Sequence, residues 1–191
     1  AVRIGIIIYD GFDELDAIGP LEVFRVAASF GADLQADLVT REPQAIVTAS
    51  HGVGIVPDCC YSAGAFQALL VTGGRWLDRT GQGAWTQVQQ GDWLPLLEAE
   101  ADAGTTMLSV CTGAMLLAHA GVIGTRRAAT HASARQDLAG TGAEVVDERV
   151  VDVGSLITCG GVTSGLDLAL HLVEREFGEQ LAQQVRRRLE Y

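Results

Sequence analysis

Apolar runs alternate with segments of helical periodicity along the whole chain. Three runs are continuous and rich in branched side chains, which is typical of parallel strands buried on both faces: Val2–Tyr9, Ala65–Val71 and Thr105–Val110. Apolar residues at helical spacing predict helices over Leu15–Phe30, Trp93–Ala103, Thr112–Ala120, Thr163–Phe177 and Glu179–Leu189. Short strands are predicted at Gln35–Thr40, Ala45–Ala49, Ala128–Thr130, Glu144–Val146, Val150–Asp152 and Leu156–Thr158. This alternation predicts an α/β fold, in which a parallel sheet is sandwiched between helices and binds ligands at the carboxyl ends of its strands.

The composition limits the class of protein. With 191 residues, of which 48% are hydrophobic and 19% charged, the chain can bury one α/β core, and we expect a single domain over residues 1–191. Its net charge of -11 would repel nucleic acid and anionic membrane surfaces, so neither is an expected partner. No apolar segment approaches the roughly 18 to 20 residues of a membrane span, and we expect a cytoplasmic protein.

The four cysteines form neither a C-x-x-C pair nor a spaced set with histidine. A zinc site or a redox dithiol is therefore not expected, and all four are predicted to be free thiols. The adjacent residues Cys59 and Cys60 are expected to point in opposite directions, with one side chain buried.

Cys111 lies between a predicted buried strand and a predicted helix. Its surroundings, Ser109-Val110-Cys111-Thr112-Gly113, have the small-residue spacing of a nucleophile elbow with cysteine in place of serine. The N–H groups and the dipole at the start of the helix would favour the thiolate there. Free cysteine is also among the most buried residue types, so this motif alone leaves open whether Cys111 is a nucleophile or a small core residue.

Four acidic residues crowd the loop and helix start near the amino terminus: Asp10, Asp13, Glu14 and Asp16. Such carboxylates are ordinarily helix caps or solvated charges. The pattern alone does not choose a functional group among them.

Three separated stretches resemble the ThiJ/PfpI superfamily, and together they span nearly the whole chain: YDGFDELDAIGPLEVF, LSVCTGAMLLAHAGVIGTRRAATH and ITCGGVTSGLDLAL. The resemblance implies the flavodoxin-like sheet of class I glutamine amidotransferases. Two branches of the superfamily are especially similar, the isocyanide hydratases and the sensor domain of AraC-type transcription regulators.

The resemblance also implies roles for individual residues. Cys111 matches the nucleophile of the superfamily, and Asp16 matches the acidic residue that approaches its sulfur. Thr112 matches the residue after the nucleophile, and the N–H groups of Gly74 and Thr112 would form an oxyanion-type hole, with Gly73 allowing close backbone approach. A carboxyl group beside a thiolate should have a raised pKa and could carry a proton.

Other positions bear on the kind of chemistry. Proteolytic members of the superfamily have histidine where this chain has Thr112, so peptide hydrolysis is not expected. His131 resembles a pocket-lining histidine rather than a base. Trp76 belongs to a segment, Gly74 to Gln90, that differs from the usual glycine-rich loop and could form part of the substrate pocket. Cys159, where relatives usually have glycine, is a rival nucleophile that ranks below Cys111.

The resemblance implies a reaction that needs no metal or organic cofactor. The expected enzyme hydrates a small isocyanide to an N-substituted formamide through a thioimidate on Cys111. The alternatives are a ligand-sensing domain of an AraC-type regulator and a glyoxalase or deglycase acting on 2-oxoaldehydes. The chain ends at Tyr191, without the roughly 100 further residues of two helix-turn-helix units, which favours the enzyme. The superfamily also implies a homodimer.

Overall fold

A sheet of seven strands forms the centre of the computed structural model, which describes residues 1–191. The strands of the chain are β1 (Val2–Ile7), β2 (Leu34–Thr40), β3 (Val47–Thr48), β4 (Gly54–Ile55), β5 (Cys59–Cys60), β6 (Ala68–Val71), β7 (Thr106–Ser109), β8 (Arg127–Ala128), β9 (Glu144–Val145), β10 (Val150–Asp152) and β11 (Leu156–Cys159). The central sheet has the order β10-β11-β7-β6-β1-β2-β5, and only β10 runs antiparallel to its neighbour. Its middle strands are buried along their length because helices cover both faces.

Seven α-helices accompany the sheet. They are α1 (Glu14–Ser29), α2 (Ala84–Gln90), α3 (Leu94–Asp102), α4 (Gly113–His119), α5 (Arg135–Gly140), α6 (Ser164–Phe177) and α7 (Glu179–Leu189). The helices α1, α6 and α7 pack on one another, while α4 packs with α2, α3 and α5, which gives one layer of helices for each face of the sheet. The apolar side chains between these layers form one connected cluster of 52 buried residues. None of the helices has the length and apolar character needed to cross a membrane.

The α/β class and the long elements are as predicted, but some short segments differ. The strand β10 is antiparallel because it forms a hairpin with β11, which needs no crossover helix. The strands β8 and β9 pair with each other outside the central sheet. The segment after Trp76, which matches neither periodicity, contains the helix α2, and the helix α5 was not predicted because its six residues are too few to show a period.

The expectation for the adjacent cysteines is wrong in one part. Cys59 and Cys60 form the edge strand β5, along which successive side chains point to opposite faces, as expected. Neither side chain is fully buried, however, because an edge strand has a neighbour on one side only. All four cysteines of the chain are free thiols, as predicted.

The topology brings distant segments together at one edge of the sheet. The strands β6 and β7 are parallel neighbours, with Val71 opposite Ser109, so their carboxyl ends lie side by side. The turns that follow them hold Gly73 and Cys111. The strand β1 lies on the other side of β6 and leads into α1, whose first turn holds Asp16.

Candidate active site

Cys111 occupies a sharp turn between β7 and α4. Its φ is +57°, a left-handed conformation that costs a residue other than glycine roughly 1 to 3 kcal/mol. Two hydrogen bonds hold the turn: the Cys111 N–H donates to the Gly160 carbonyl at 2.9 Å, and the Thr130 hydroxyl donates to the Cys111 carbonyl at 2.9 Å. A Cβ at Gly113 would lie 2.1 Å from the Val71 carbonyl oxygen, so the start of α4 approaches β6 only because this residue is glycine. The strained strand-to-helix turn is the geometry of a nucleophile elbow.

Thr112 connects the elbow to the turn after β6. The Gly74 N–H donates to the Thr112 hydroxyl oxygen at 2.9 Å, which leaves the single hydroxyl proton free to donate elsewhere. Hydrogen bonds from the N–H and the hydroxyl of Thr112 lower the pKa of the Cys111 thiol, against the larger effect of burial. A Cβ at Gly73 would lie 2.4 Å from the Thr112 nitrogen, which explains the need for glycine there. The Gly74 N–H, expected to be a direct anion donor, therefore acts through the Thr112 hydroxyl.

The structure gives each of the four amino-terminal carboxylates a different environment. Asp10 accepts the Thr48 N–H at 3.0 Å, Asp13 accepts the Leu15 N–H at 3.2 Å, and Glu14 accepts the His51 N–H at 3.0 Å. These three are ordinary loop or cap interactions. Asp16 alone is fully buried, with 0% of its surface exposed.

The Asp16 carboxyl group has one hydrogen bond and one free oxygen. Its Oδ2 accepts the Gly73 N–H at 2.9 Å, and its Oδ1 has no hydrogen-bond partner. Burial, opposed by the Gly73 hydrogen bond and reinforced by the charge of Asp13, raises the pKa of Asp16 well above its usual range. If Oδ1 carries a proton, it becomes a hydrogen-bond donor instead of an acceptor without a partner.

Cys111 and Asp16 titrate as a pair. Burial first, and then the charge of Asp16, raise the pKa of the Cys111 thiol. Two negative charges in this apolar setting are strongly disfavoured, so the pair keeps at least one proton and holds at most one negative charge at neutral pH. The expectation that the start of the helix favours the thiolate is therefore wrong, because burial and the charge of Asp16 outweigh the hydrogen bonds of Thr112 that lower the pKa of the thiol.

Two further titratable side chains surround this pair. Tyr9 donates its hydroxyl to the Thr72 carbonyl, and burial followed by the charge of Asp16 raises its pKa. Burial followed by the charge of Asp16 likewise raises the pKa of Cys159, which is 0% exposed. Cys159 is thus enclosed, whereas Cys111 has access to a cavity. The sequence analysis did not single out Tyr9, although its position two residues after β1 places it at the same edge of the sheet.

A cavity of about 280 Å³ opens above the elbow. Its lining includes Asp13, Gly74, Trp76, Cys111, Thr112 and His131. The structure therefore brings together five of the seven residues named from the sequence around the cavity, while Gly73 and Asp16 are buried next to them: Gly73 adjoins Thr112, and its N–H is bonded to Asp16. Arg75, with a φ of +51°, also lines it, so two of the three non-glycine residues with positive φ border this space. Strained backbone concentrated around a cavity is typical of a functional site.

His131 lines the cavity without contacting the sulfur of Cys111. Its Nδ1 accepts the Ser133 N–H at 3.1 Å, which places any proton of the neutral ring on Nε2. Cys111 has no hydrogen-bonded histidine, so the structure holds no cysteine–histidine pair of the protease type at this position. Arg75, Leu77, Ser133 and Val162 also line the cavity but were not named from the sequence, because nothing local distinguishes them from ordinary loop residues.

A parallel α/β sheet with a strained cysteine at a strand-to-helix turn and a buried acid beside it defines a class of proteins with a cysteine elbow. Comparison with known proteins agrees. The model of the DJ-1/PfpI family matches residues 2–175, and the chain belongs to this family.

Relatives of the chain within the family are named after different functions. The chain is 33% identical over 192 residues to isonitrile hydratase of Pseudomonas putida, covering 100% of this chain and 79% of that protein. It is 31% identical over 183 residues to the HTH-type transcriptional regulator CdhR of Pseudomonas aeruginosa, covering 92% of this chain but 51% of the regulator. The chain thus spans about half the length of that regulator. A crystal structure of a ThiJ/PfpI family protein from Pseudomonas syringae superposes with a TM-score of 0.87 at 27% identity, covering 100% of this chain and 75% of that one.

Proposed function

We propose that the protein is a cysteine-dependent hydratase that converts a small isocyanide to an N-substituted formamide. The observation that carries the proposal is that Cys111 lines a cavity, that the buried carboxyl group of Asp16 influences its thiol electrostatically, and that neither has a histidine as a hydrogen-bond partner. The relationship to isonitrile hydratase over the whole chain supports this choice of reaction.

The proposed reaction proceeds in two steps. The Cys111 sulfur forms a bond to the terminal carbon of the isocyanide, and that carbon receives the proton of Asp16, which gives a thioimidate, R–N=CH–S–Cys. Water then adds to the same carbon, with one of its protons going to the Asp16 carboxylate and the other to nitrogen, which gives the tetrahedral species R–NH–CH(O⁻)–S–Cys. The C–S bond breaks and the sulfur leaves with its electron pair, so that the formamide, the Cys111 thiolate and protonated Asp16 result and the net change is the addition of one water. Proton transfer by a positioned group of this kind contributes about 10² to 10⁴-fold to a rate.

The hydroxyl and N–H of Thr112 stabilise negative charge on the sulfur in both steps. Gly74 positions Thr112, Gly73 holds Asp16 through its N–H, and Trp76 and His131 form the walls that contact the substrate. The proposal also includes a single domain over residues 1–191, a cytoplasmic setting and a homodimer, which sedimentation would test. It requires no metal or organic cofactor.

Formation of the formamide from an alkyl isocyanide tests the reaction. We expect turnover by the wild type, none by Cys111→Ala, and full turnover by the matched control Cys59→Ala, which removes a half-buried thiol from the distant edge strand. A wild-type protein without turnover, or turnover that survives Cys111→Ala, would refute the hydratase proposal.

A second function, ligand sensing, has one observation in its favour. The match to CdhR covers 92% of this chain and only about half of the regulator, as expected if the family domain is one part of that protein. A sensor would bind its ligand in the Cys111 cavity and release it unchanged. Sensing would be favoured over the enzyme if a small molecule stabilised both the wild type and Cys111→Ala and was recovered unaltered from both.

A further inference from the structure

Trp76 is the largest side chain in the cavity wall. Only 5% of its surface is exposed, and it shares the cavity with Cys111. Leu77 and Val162 extend the same apolar wall. Because the indole and the sulfur border the same cavity, the position of the indole limits the space available to a ligand beside Cys111.

Two side chains contact the indole of Trp76 directly, and a third, that of Trp85, packs on one of them. Its Nε1–H donates to the Asp137 carboxylate at 2.7 Å, and Arg79 donates to the same oxygen at 3.3 Å. The Arg79 guanidinium also lies 5.0 Å from the ring centroid of Trp76 and 5.2 Å from that of Trp85, so it contacts both indoles. We call Trp76, Arg79, Trp85 and Asp137 the indole clamp.

The clamp links three elements around one loop. Asp137 belongs to α5, Trp85 belongs to α2, and Trp76 and Arg79 lie in the connection between β6 and α2. An indole fixed both through its N–H and across its face cannot rotate out of the wall without losing a charge-assisted hydrogen bond. These contacts favour one orientation of the Trp76 indole in the cavity wall.

We propose that the indole clamp is the specificity determinant of the Cys111 cavity, admitting electrophiles with compact apolar substituents and excluding those with broad fused rings. Applied to turnover, this inference rests on the proposed function and names its substrate class as isocyanides with compact apolar substituents. The proposed restriction on which reagents reach the Cys111 sulfur does not depend on that reaction. Asp137, Arg79 and Trp85 act through Trp76 and are positioning residues.

Access is tested with two alkylating agents that share one reacting group, iodoacetamide and its N-naphthyl derivative. Modification of Cys111 is followed by peptide mass spectrometry, because Cys59 and Cys60 are also partly exposed. The measured quantity is the ratio of the two rates, in which changes of thiol reactivity cancel. We expect the wild type to prefer the small reagent, and Trp76→Ala to reduce this preference at least about tenfold, since the wall is then removed.

The positioning residues are tested by graded variants. Asp137→Ala removes the acceptor of the indole N–H and should reduce the preference roughly threefold to tenfold, the equivalent of one hydrogen bond. Asp137→Asn keeps an oxygen acceptor and should restore most of the preference. Trp76→Phe fills the wall without an N–H and should behave like Asp137→Ala. The control Glu148→Ala breaks a surface ion pair with Arg127 outside the cavity and should leave the ratio unchanged.

Some outcomes would overturn the inference. It fails if Trp76→Phe and Trp76→Ala, both folded by circular dichroism, keep the wild-type ratio, or if Asp137→Ala slows both reagents equally. Comparing turnover of methyl and naphthyl isocyanide separates the two proposals. An altered alkylation ratio in a protein without turnover would refute the hydratase and support the clamp, whereas turnover with an unaltered ratio would do the reverse.

Discussion

Replacing Asp16 with asparagine separates the shape of this residue from its acidity. The amide oxygen of the variant can still accept the Gly73 N–H, which lies 2.9 Å from the carboxylate in the wild type. The variant cannot ionise or transfer a proton. Any change in the chemistry of Cys111 therefore reports the charge and the proton of Asp16.

General electrostatics gives a rough magnitude. Two like charges about 4 to 6 Å apart, at an effective dielectric constant near 20, repel each other by about 3 to 4 kcal/mol, or roughly a hundredfold in an acid dissociation constant. Since the charge of Asp16 raises the pKa of Cys111, its removal lowers that pKa. The alkylation profile of Asp16→Asn should move about two pH units lower. Hydration should nevertheless slow by about 10² to 10⁴-fold, because the proton donor is gone.

Folding stability supplies a second measure with a defined sign. Burial raises the pKa of Asp16, so the folded state binds its proton more tightly than the unfolded state. This contribution is complete below the unfolded pKa, near 3.9, and is lost as the pH rises through the folded pKa. Each tenfold difference in the dissociation constant corresponds to about 1.4 kcal/mol. Asp16→Asn should therefore lose less stability than the wild type in urea unfolding as the pH is raised from 4 to neutrality.

The assay is the rate of Cys111 alkylation by iodoacetamide across pH, read by peptide mass spectrometry. Asp13→Asn is the matched control, because Asp13 lines the cavity and asparagine also caps helices. Its profile should move less, since Asp13 is a weaker influence on the Cys111 pKa than Asp16. An Asp16→Asn profile identical to that of the wild type would refute the coupling, and unimpaired hydration by this variant would remove Asp16 as the proton donor.

Three further substitutions test the surroundings of the pair. Thr112→Val should slow Cys111 alkylation about tenfold by removing the hydroxyl donor, while Thr112→Ser keeps the wild-type rate; equal rates for both would contradict the hydroxyl's role. Gly73→Ala should lower the free energy of unfolding, measured by urea titration, by about 1 to 3 kcal/mol, because the added Cβ would overlap backbone atoms. The control Gly140→Ala, whose Cβ would have no atom within 4 Å, should leave the protein equally stable or more stable. Cys159→Ala should cost about 1 kcal/mol and keep hydration; a folded variant without turnover would make Cys159 the better nucleophile.

The sequence predicted the parts of the site that depend on local pattern. The strand, elbow and helix around Cys111 have a spacing that can be recognised without a structure, and the family motif selected Asp16 among four neighbouring carboxylates. The structure adds the physical reason for that selection, which is that Asp16 alone is fully buried. Burial depends on the packing of α1 against the sheet, and no local pattern of charges encodes it.

Relations between distant residues could not be predicted in this way. Trp76 was named from the sequence, but its acceptor Asp137 lies 61 residues further along, on a helix too short to show a period. The helix α2 was missed because it begins at Gly83 without a side-chain cap and buries only Ala84 and Val88. The antiparallel direction of β10 likewise depends on its pairing with β11 and not on its own residues.

Acid–base chemistry beside Cys111 does not require a histidine. Burial can raise the pKa of a carboxyl group towards neutral pH, the range in which histidine usually titrates. An exposed aspartate would be fully ionised and could not donate a proton, and a buried one without any hydrogen bond would hold its proton too tightly to release it. Burial raises the pKa of Asp16, and the hydrogen bond from the Gly73 N–H opposes that change. The same Gly73 must lack a side chain for Thr112 to approach, so one glycine contacts both the carboxyl group and the residue that follows Cys111.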